Sequence, residues 1–201
     1  MARKTKEEAL ETREKLMSSA LEMMSENPFS SVSMNEIAER VGLSKGATYW
    51  HFKTKNDLLI TLFENMCRQV EKELYFDGGF PKSWNEVGLY YKRKMEKASQ
   101  NGDVKKMYKL ILRREEWPEE VRVRVNALLK EKLEEERKML ENLLLGTQKG
   151  EDFRSDISPR TLSTLVAAVF HGLFVSQLDK WYPLNFTKYI DFILHSLTDA
   201  R

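Results

Sequence analysis

The sequence predicts an all-α fold of about nine helices, and three observations carry that prediction. Val/Ile/Thr alternation is scarce, while Leu, Met, Glu and Lys dominate. Apolar residues recur at i, i+3, i+4 and i+7 through long stretches. The breaks between those stretches carry helix punctuation, with Ser, Thr or Asn before a run and Gly or Pro at its end. At 201 residues and 41% apolar side chains, the chain can build a real core.

Each element follows from local chemistry. The first helix runs from about Glu7 to Ser25, with Leu16, Met17, Ala20, Leu21 and Met24 as its inner stripe. Ser33 and Glu36 form an S-x-x-E capping box that starts a short second helix, whose Ile37, Ala38 and Val41 make a narrow apolar face. Gly42 sits where a helix ends in a left-handed residue. Ser44 caps a third helix, with Ala47, Trp50 and Phe52 expected inward and Lys45, Gly46, Thr48, Tyr49 and His51 outward. Thr54 caps a fourth helix that continues to about Tyr75, and Asp77-Gly78-Gly79-Phe80-Pro81 breaks it. Ser83 starts the fifth, which lasts to about Ser99; Asn101-Gly102-Asp103 is a turn, and the sixth ends near Glu116. Pro118 opens a seventh helix to about Leu145, whose Glu/Lys/Arg density marks an exposed face. After a polar loop, Gly146 to Asp156, Ser158-Pro159 starts a strongly apolar eighth helix ending at Tyr182-Pro183. The ninth spans about Asn185 to Thr198.

The formal net charge is only +2, so position matters more than total. Residues 45 to 55 hold Lys45, Lys53 and Lys55 and no acid, and the leader holds Arg3, Lys4 and Lys6 before the first Glu. A short helix, a tight Gly turn and a second helix with small and polar residues near its start is the pattern of a helix-turn-helix over 33–52. Ser33, Ser44, Lys45, Gly46, Thr48, Tyr49, His51 and Lys55 are the candidate DNA contacts. Lys45 and Thr48 are expected at base edges, Tyr49 and His51 at phosphates, and Lys55 at a phosphate beside the capped fourth helix. Gly46 would let the helix approach closely.

Residues 1–65 resemble the N-terminal domain of the TetR family of bacterial transcriptional regulators, the multidrug-efflux repressor branch in particular. The carrying residues are the 1–9 leader, Thr12-Arg13, Ile37-Ala38, Val41-Gly42-Leu43-Ser44-Lys45-Gly46-Ala47-Thr48-Tyr49-Trp50-His51-Phe52 and Lys55-Asn56-Asp57-Leu58. The chain departs from the family at Asn27-Pro28, where Gly is usual, and at Met24, where Phe is common. The resemblance implies a DNA-binding domain at 1–56 and a ligand-binding and dimerisation domain at 57–201. It also implies a homodimeric repressor that binds a palindromic operator and is released by a hydrophobic small molecule. A half-site reader needs a twin for a two-fold operator. Leu162, Val166, Val169, Leu173, Tyr189 and Ile193, on the last two helices, are the candidate interface.

The second domain is rich in Met and aromatic residues, which suit an adaptable ligand site. The candidates are Phe63, Met66, Cys67, Trp84, Tyr91, Met95, Met107, Tyr108, Ile111, Trp117, Phe170, His171, Phe174, Gln177 and Trp181. For any one of them a plain core role competes with a ligand role. His51, His171 and His195 fall in different helices, away from metal-ligand spacing, and no phosphate loop or nucleophile elbow is present. No enzyme, metal or cofactor is expected. The single Cys67 fits a reducing cytoplasm. No apolar run is expected to reach the ~20 residues that cross a bilayer, so no membrane partner is expected. A helical protein–protein adaptor is the alternative class; the cationic 45–55 segment argues against it, because an adaptor has no use for that face.

Overall fold

The computed structural model describes residues 6–76, 80–147, 157–178 and 185–198. Among the described residues there are nine α-helices, two short 3-10 turns and no strand. The helices are α1 (Lys6–Glu26), α2 (Met34–Arg40), α3 (Lys45–His51), α4 (Lys55–Phe76), α5 (Trp84–Gln100), α6 (Gly102–Leu112), α7 (Glu119–Thr147), α8 (Pro159–Leu178) and α9 (Phe186–Thr198). The 3-10 turns are Phe29–Ser31, just after Pro28, and Arg114–Glu116. The latter makes a separate element of what the sequence reads as the end of the sixth helix. Arg3, Lys4, Trp181 and Tyr182-Pro183, and the 148–156 part of the polar loop, lie outside the described residues.

The chain separates into two compact units. The first holds the residues up to Gln69 together with Asp103–Leu128; the second holds Val70–Gly102 and the residues from Leu129 on. In the first unit the inner stripe of α1 (Leu16, Ala20, Leu21 and Met24) is buried, as are Ile37 and Ala38 of α2 and Leu58, Leu59, Leu62 and Phe63 of α4. Each Leu, Ile, Met or Phe among them stabilises the fold by about 1.5–3 kcal/mol relative to exposure. The Phe63 and Trp117 rings lie 5.3 Å apart at 59°. Glu22 of α1 pairs with Lys106 of α6.

In the second unit α5 packs on both α8 and α9. Its core joins Trp84, Val87, Tyr90, Tyr91 and Met95 to Leu140, Leu144, Leu162, Val166, Phe170 and Ile190. Tyr91 stacks on Phe170 with centroids 3.7 Å apart and planes 16° apart. Gly88 lets α5 and α9 close up, since a Cβ there would stand 3.0 Å from Leu194 Cδ1. Arg137 of α7 donates to both Glu134 oxygens, to Glu141 and to Ser163 of α8, tying α7 to α8. Hydrogen bonds to Arg137 hold the Glu134 carboxyl down at about 2.

One expectation is overturned by α8. It has 20 residues, 18 of which average a hydropathy of 1.5, long and apolar enough by length and composition to cross a membrane. Leu162, Ser163, Val166 and Phe170 are buried in the second unit. A core helix passes the same test of length and composition.

Candidate DNA interface

The helix-turn-helix is assembled by its caps. Ser33 Oγ accepts the Glu36 N–H at 3.2 Å, and the Glu36 carboxylate accepts the Ser33 N–H at 2.7 Å. These bonds hold the Glu36 carboxyl below its usual range. Gly42 ends α2 at φ 69°, a left-handed conformation that costs an L side chain roughly 1–2 kcal/mol. Ser44 Oγ accepts the Ala47 N–H at 3.3 Å and so starts α3. Thr54 Oγ1 accepts the Asp57 N–H at 3.0 Å, and Asp57 accepts the Lys53 N–H at 3.2 Å.

Four of the expected outward residues of α3, Lys45, Gly46, Tyr49 and His51, are exposed or half-buried, and the Lys45 ammonium lies 5.9 Å from the Tyr49 ring centroid. Thr48 and Trp50 exchange the places expected of them. Thr48 is 0% exposed, and its Oγ1 donates back to the Ser44 carbonyl at 3.3 Å, so it cannot reach a base edge. Trp50 is 74% exposed instead of inward, and its ring meets His51 edge-on at 4.7 Å. The buried side chains here are Thr48 and Phe52, at i and i+4, and Trp50 falls two residues from each, on the opposite side. Trp50 is thus the outward residue that the sequence reading missed.

Lys55, expected at a phosphate, has its ammonium engaged within the protein. It donates to the carbonyls of Phe29 at 2.6 Å and Val32 at 2.7 Å, and lies 4.1 Å from the Phe29 ring centroid. Partial burial lowers its pKa, with Glu36 opposing. Arg13 of α1 is equally committed. Its Nη1 donates to the His51 carbonyl at 2.7 Å, and its guanidinium lies 4.2 Å over the Phe52 ring. Lys45, Lys53 just after α3, and Arg40 of α2 are exposed.

The candidate interface on α8 and α9 is also partly re-phased. Leu162 and Val166 are buried in the second unit's own core and are not available to a second chain. Val169, Leu173 and Ile193 are half-buried, and Tyr189 is exposed. The open apolar side chains on these helices are Leu165 at 50% and Phe192 at 71%, alongside Tyr189.

The ligand candidates fall into two groups, one in each unit. In the first unit Phe63, Met107 and Trp117 are buried as core, while Met66 and Cys67 are half-buried. In the second unit Trp84, Tyr91 and Phe170 are buried, Phe174 and Gln177 are half-buried and His171 is at the surface. Gln177 Oε1 is itself buried and accepts no hydrogen bond among the described residues. Burial, and then the nearby Glu136 carboxylate, push the Tyr91 hydroxyl well above its ordinary range. Glu136 in turn holds the Lys94 ammonium through both oxygens at 2.8 Å. Partial desolvation and then Lys94 lower the His171 pKa, with Glu136 opposing, which favours the neutral ring.

Comparison with known proteins places this geometry. Residues 16–62 match the family model for bacterial regulatory proteins of the tetR family. The chain is 45% identical over 82 residues to the transcriptional regulator AcrR of Shigella flexneri, covering 40% of this chain and 38% of that one. It is 36% identical over 87 residues to SrpR of Pseudomonas putida, covering 43% and 41%. The match thus spans about two-fifths of those relatives. Across the whole chain the fold resembles NalD, the secondary repressor of the MexAB-OprM multidrug efflux pump in Pseudomonas aeruginosa. The TM-score is 0.75 at 20% identity, over 98% of this chain and 100% of that one. It also resembles the structure of an SmeT–triclosan complex, at a TM-score of 0.72 and 17% identity over 94% and 93%. The capped helix-turn-helix and the match over 16–62 together establish that this segment belongs to the tetR family of bacterial regulatory proteins.

Proposed function

We propose that the protein is a homodimeric repressor that reads a palindromic operator with α3 and leaves it when a hydrophobic effector binds. The observation that carries this reading is the outer face of α3. Lys45, Gly46, Tyr49 and Trp50 project outward over seven residues, with no acid among them, from a helix capped and held on its other side. Lys45 opens the helix and Tyr49 lies about one turn further on the same side, where they would meet base edges and phosphates. Trp50 and Lys53 extend the same surface. In this reading residues 1–56 bind DNA and 57–201 bind the effector and the second copy.

The twin is supported by the open Leu165, Tyr189 and Phe192 on α8 and α9. Pairing these helices with their copies would cover that surface as a four-helix bundle. Effector binding is supported by the second unit, where Tyr91, Phe170, Phe174 and Gln177 combine aromatic walls with a buried, unsatisfied acceptor. Phe63 and Trp117 already serve the first unit's core and contribute less to this proposal. α4 starts beside the capped turn after α3, and from Val70 on belongs to the second unit. Of the chain crossings between the units, it is the one that leads directly from the reading helix, and through it effector occupancy would move that helix. NalD is described as an efflux-pump repressor and SmeT was captured with triclosan, which supports an apolar effector here.

The test is enrichment of duplexes from a random-sequence library by the full chain, followed by titration of triclosan and hydrophobic dyes. Enrichment of an inverted repeat, and its release by at least one of these compounds, is expected. By linkage, the operator must weaken the compound by the factor by which the compound weakens the operator. A chain that enriches no sequence refutes the DNA reading, and compounds that bind without altering operator affinity refute the effector reading.

A further inference from the structure

Lys55 and Arg13 hold the two ends of the segment that carries the reading helix. Val32, whose carbonyl accepts from Lys55, immediately precedes the Ser33 cap of α2. His51, whose carbonyl accepts from Arg13, is the last residue of α3. Residues 32 to 51 are therefore tied at their first carbonyl to α4 and at their last to α1. Each tie uses a full positive charge on a carbonyl, and each is backed by an aromatic face, Phe29 under Lys55 and Phe52 under Arg13. A cation at a helix C-terminus also meets the negative end of the backbone dipole, which favours the Arg13 contact.

We propose that Arg13 and Lys55 are positioning residues for DNA recognition: they fix the angle of α3 against α1 and α4, and neither neutralises a phosphate. This deepens the proposed function and rests on it. Lys55 gives two of its three N–H bonds to the Phe29 and Val32 carbonyls, and moving it to DNA would strip both. Reading a specific base sequence needs α3 at a set angle, whereas non-specific binding needs only outward charge. Loss of either tie should therefore harm specific binding selectively. The loss expected in specific affinity is about tenfold or more, about 1.4 kcal/mol for each decade.

The experiment compares the enriched duplex with a scrambled duplex of equal length and composition, each over a salt titration, for wild type, Lys55→Met, Arg13→Met and Lys53→Ala. Both Met variants keep an apolar side chain and lose the donor. They should bind the enriched duplex about tenfold or more weakly, bind the scrambled duplex as wild type does and keep the wild-type salt slope. Lys53→Ala, whose side chain points outward, should weaken both duplexes and lower the slope by about one. A slope lowered by about one for Lys55→Met or Arg13→Met, or equal losses on both duplexes, overturns the proposal, as does unchanged binding of the enriched duplex. Should the Met variants fail to fold by circular dichroism, Lys55→Arg and Arg13→Lys replace them. These keep the charge and a donor but not the fitted geometry, and the same preference for harm to the enriched duplex is expected. If wild type enriches no duplex, the DNA reading falls first and the positioning role with it.

Discussion

Gly46 separates stability from function more cleanly than any other residue in the reading helix. It lies in the first turn of α3, exposed, and a Cβ built on it meets no atom within 4 Å. Its backbone is not in the left-handed region, so Ala fits without strain. Replacing Gly by Ala in a helix is favourable by roughly 0.5–1 kcal/mol, because Gly loses the most chain entropy on folding. Gly46→Ala should therefore raise stability by up to that amount. Gly42 provides the opposite sign. A Cβ there also meets nothing within 4 Å, but φ is 69°, so Gly42→Ala should cost about 1–2 kcal/mol from backbone strain alone. If α3 presses against DNA at Gly46, the added methyl pushes the helix away, and affinity should fall about tenfold, about 1.4 kcal/mol, while the fold gains. Urea unfolding of both variants gives the two stability signs, and fluorescence anisotropy with the enriched duplex gives the affinity. Wild-type affinity in a stabilised Gly46→Ala protein would refute the close approach; a destabilised Gly46→Ala would refute the described backbone of α3.

Four further outcomes follow from the same geometry. Trp50→Ala should leave the unfolding midpoint nearly unchanged, because the ring is exposed, and should weaken operator binding; equal affinity would remove Trp50 from the interface. Thr48→Val keeps the buried shape and loses the hydroxyl's bond to the Ser44 carbonyl, so it should cost about 0.5–1.5 kcal/mol and leave base preference intact, as read by repeating the enrichment. Phe192→Glu should yield a folded monomer by sedimentation, whereas Val166→Glu, at a fully buried site, should lower the melting temperature sharply. The Glu134 carboxyl is lowered from 4.5 to about 2, so its pairing with Arg137 is fully present above pH 4.5 and is lost as pH falls toward 2. Arg137→Met should flatten the fall in stability across that window in acid unfolding curves.

What was legible in the sequence was what local chemistry decides. The Ser33–Glu36 box, Gly42, and the Ser44 and Thr54 caps each depend on residues three or four positions apart, and each stands in the structure as read. Trp50 and Thr48 were exchanged because α3 spans seven residues, too few turns to phase an apolar stripe, and because a Thr hydroxyl can satisfy itself on the preceding turn. Leu162 and Val166 were taken for interface because α8 is apolar nearly all round, so no polar face marks which side meets the core. Lys55 reads as a phosphate ligand because its sequence neighbours form a helix start, and its contacts within the protein carry no such signal. Its real partners, the carbonyls of Phe29 and Val32, lie more than twenty residues earlier and have no side-chain signature. The 3-10 turn Phe29–Ser31 that carries one of them was unmarked for the same reason.

The most direct test of two copies reading DNA through α3 is the sequence of the duplexes that the full chain enriches from a random library. An inverted repeat is expected, with half-site centres about one helical turn, roughly 10 base pairs, or a multiple of it apart. Lys45→Ala should change the bases selected within each half-site. Enrichment of a single asymmetric site, or of no site, would contradict it, as would a Lys45→Ala protein that selects the wild-type sequence at wild-type affinity.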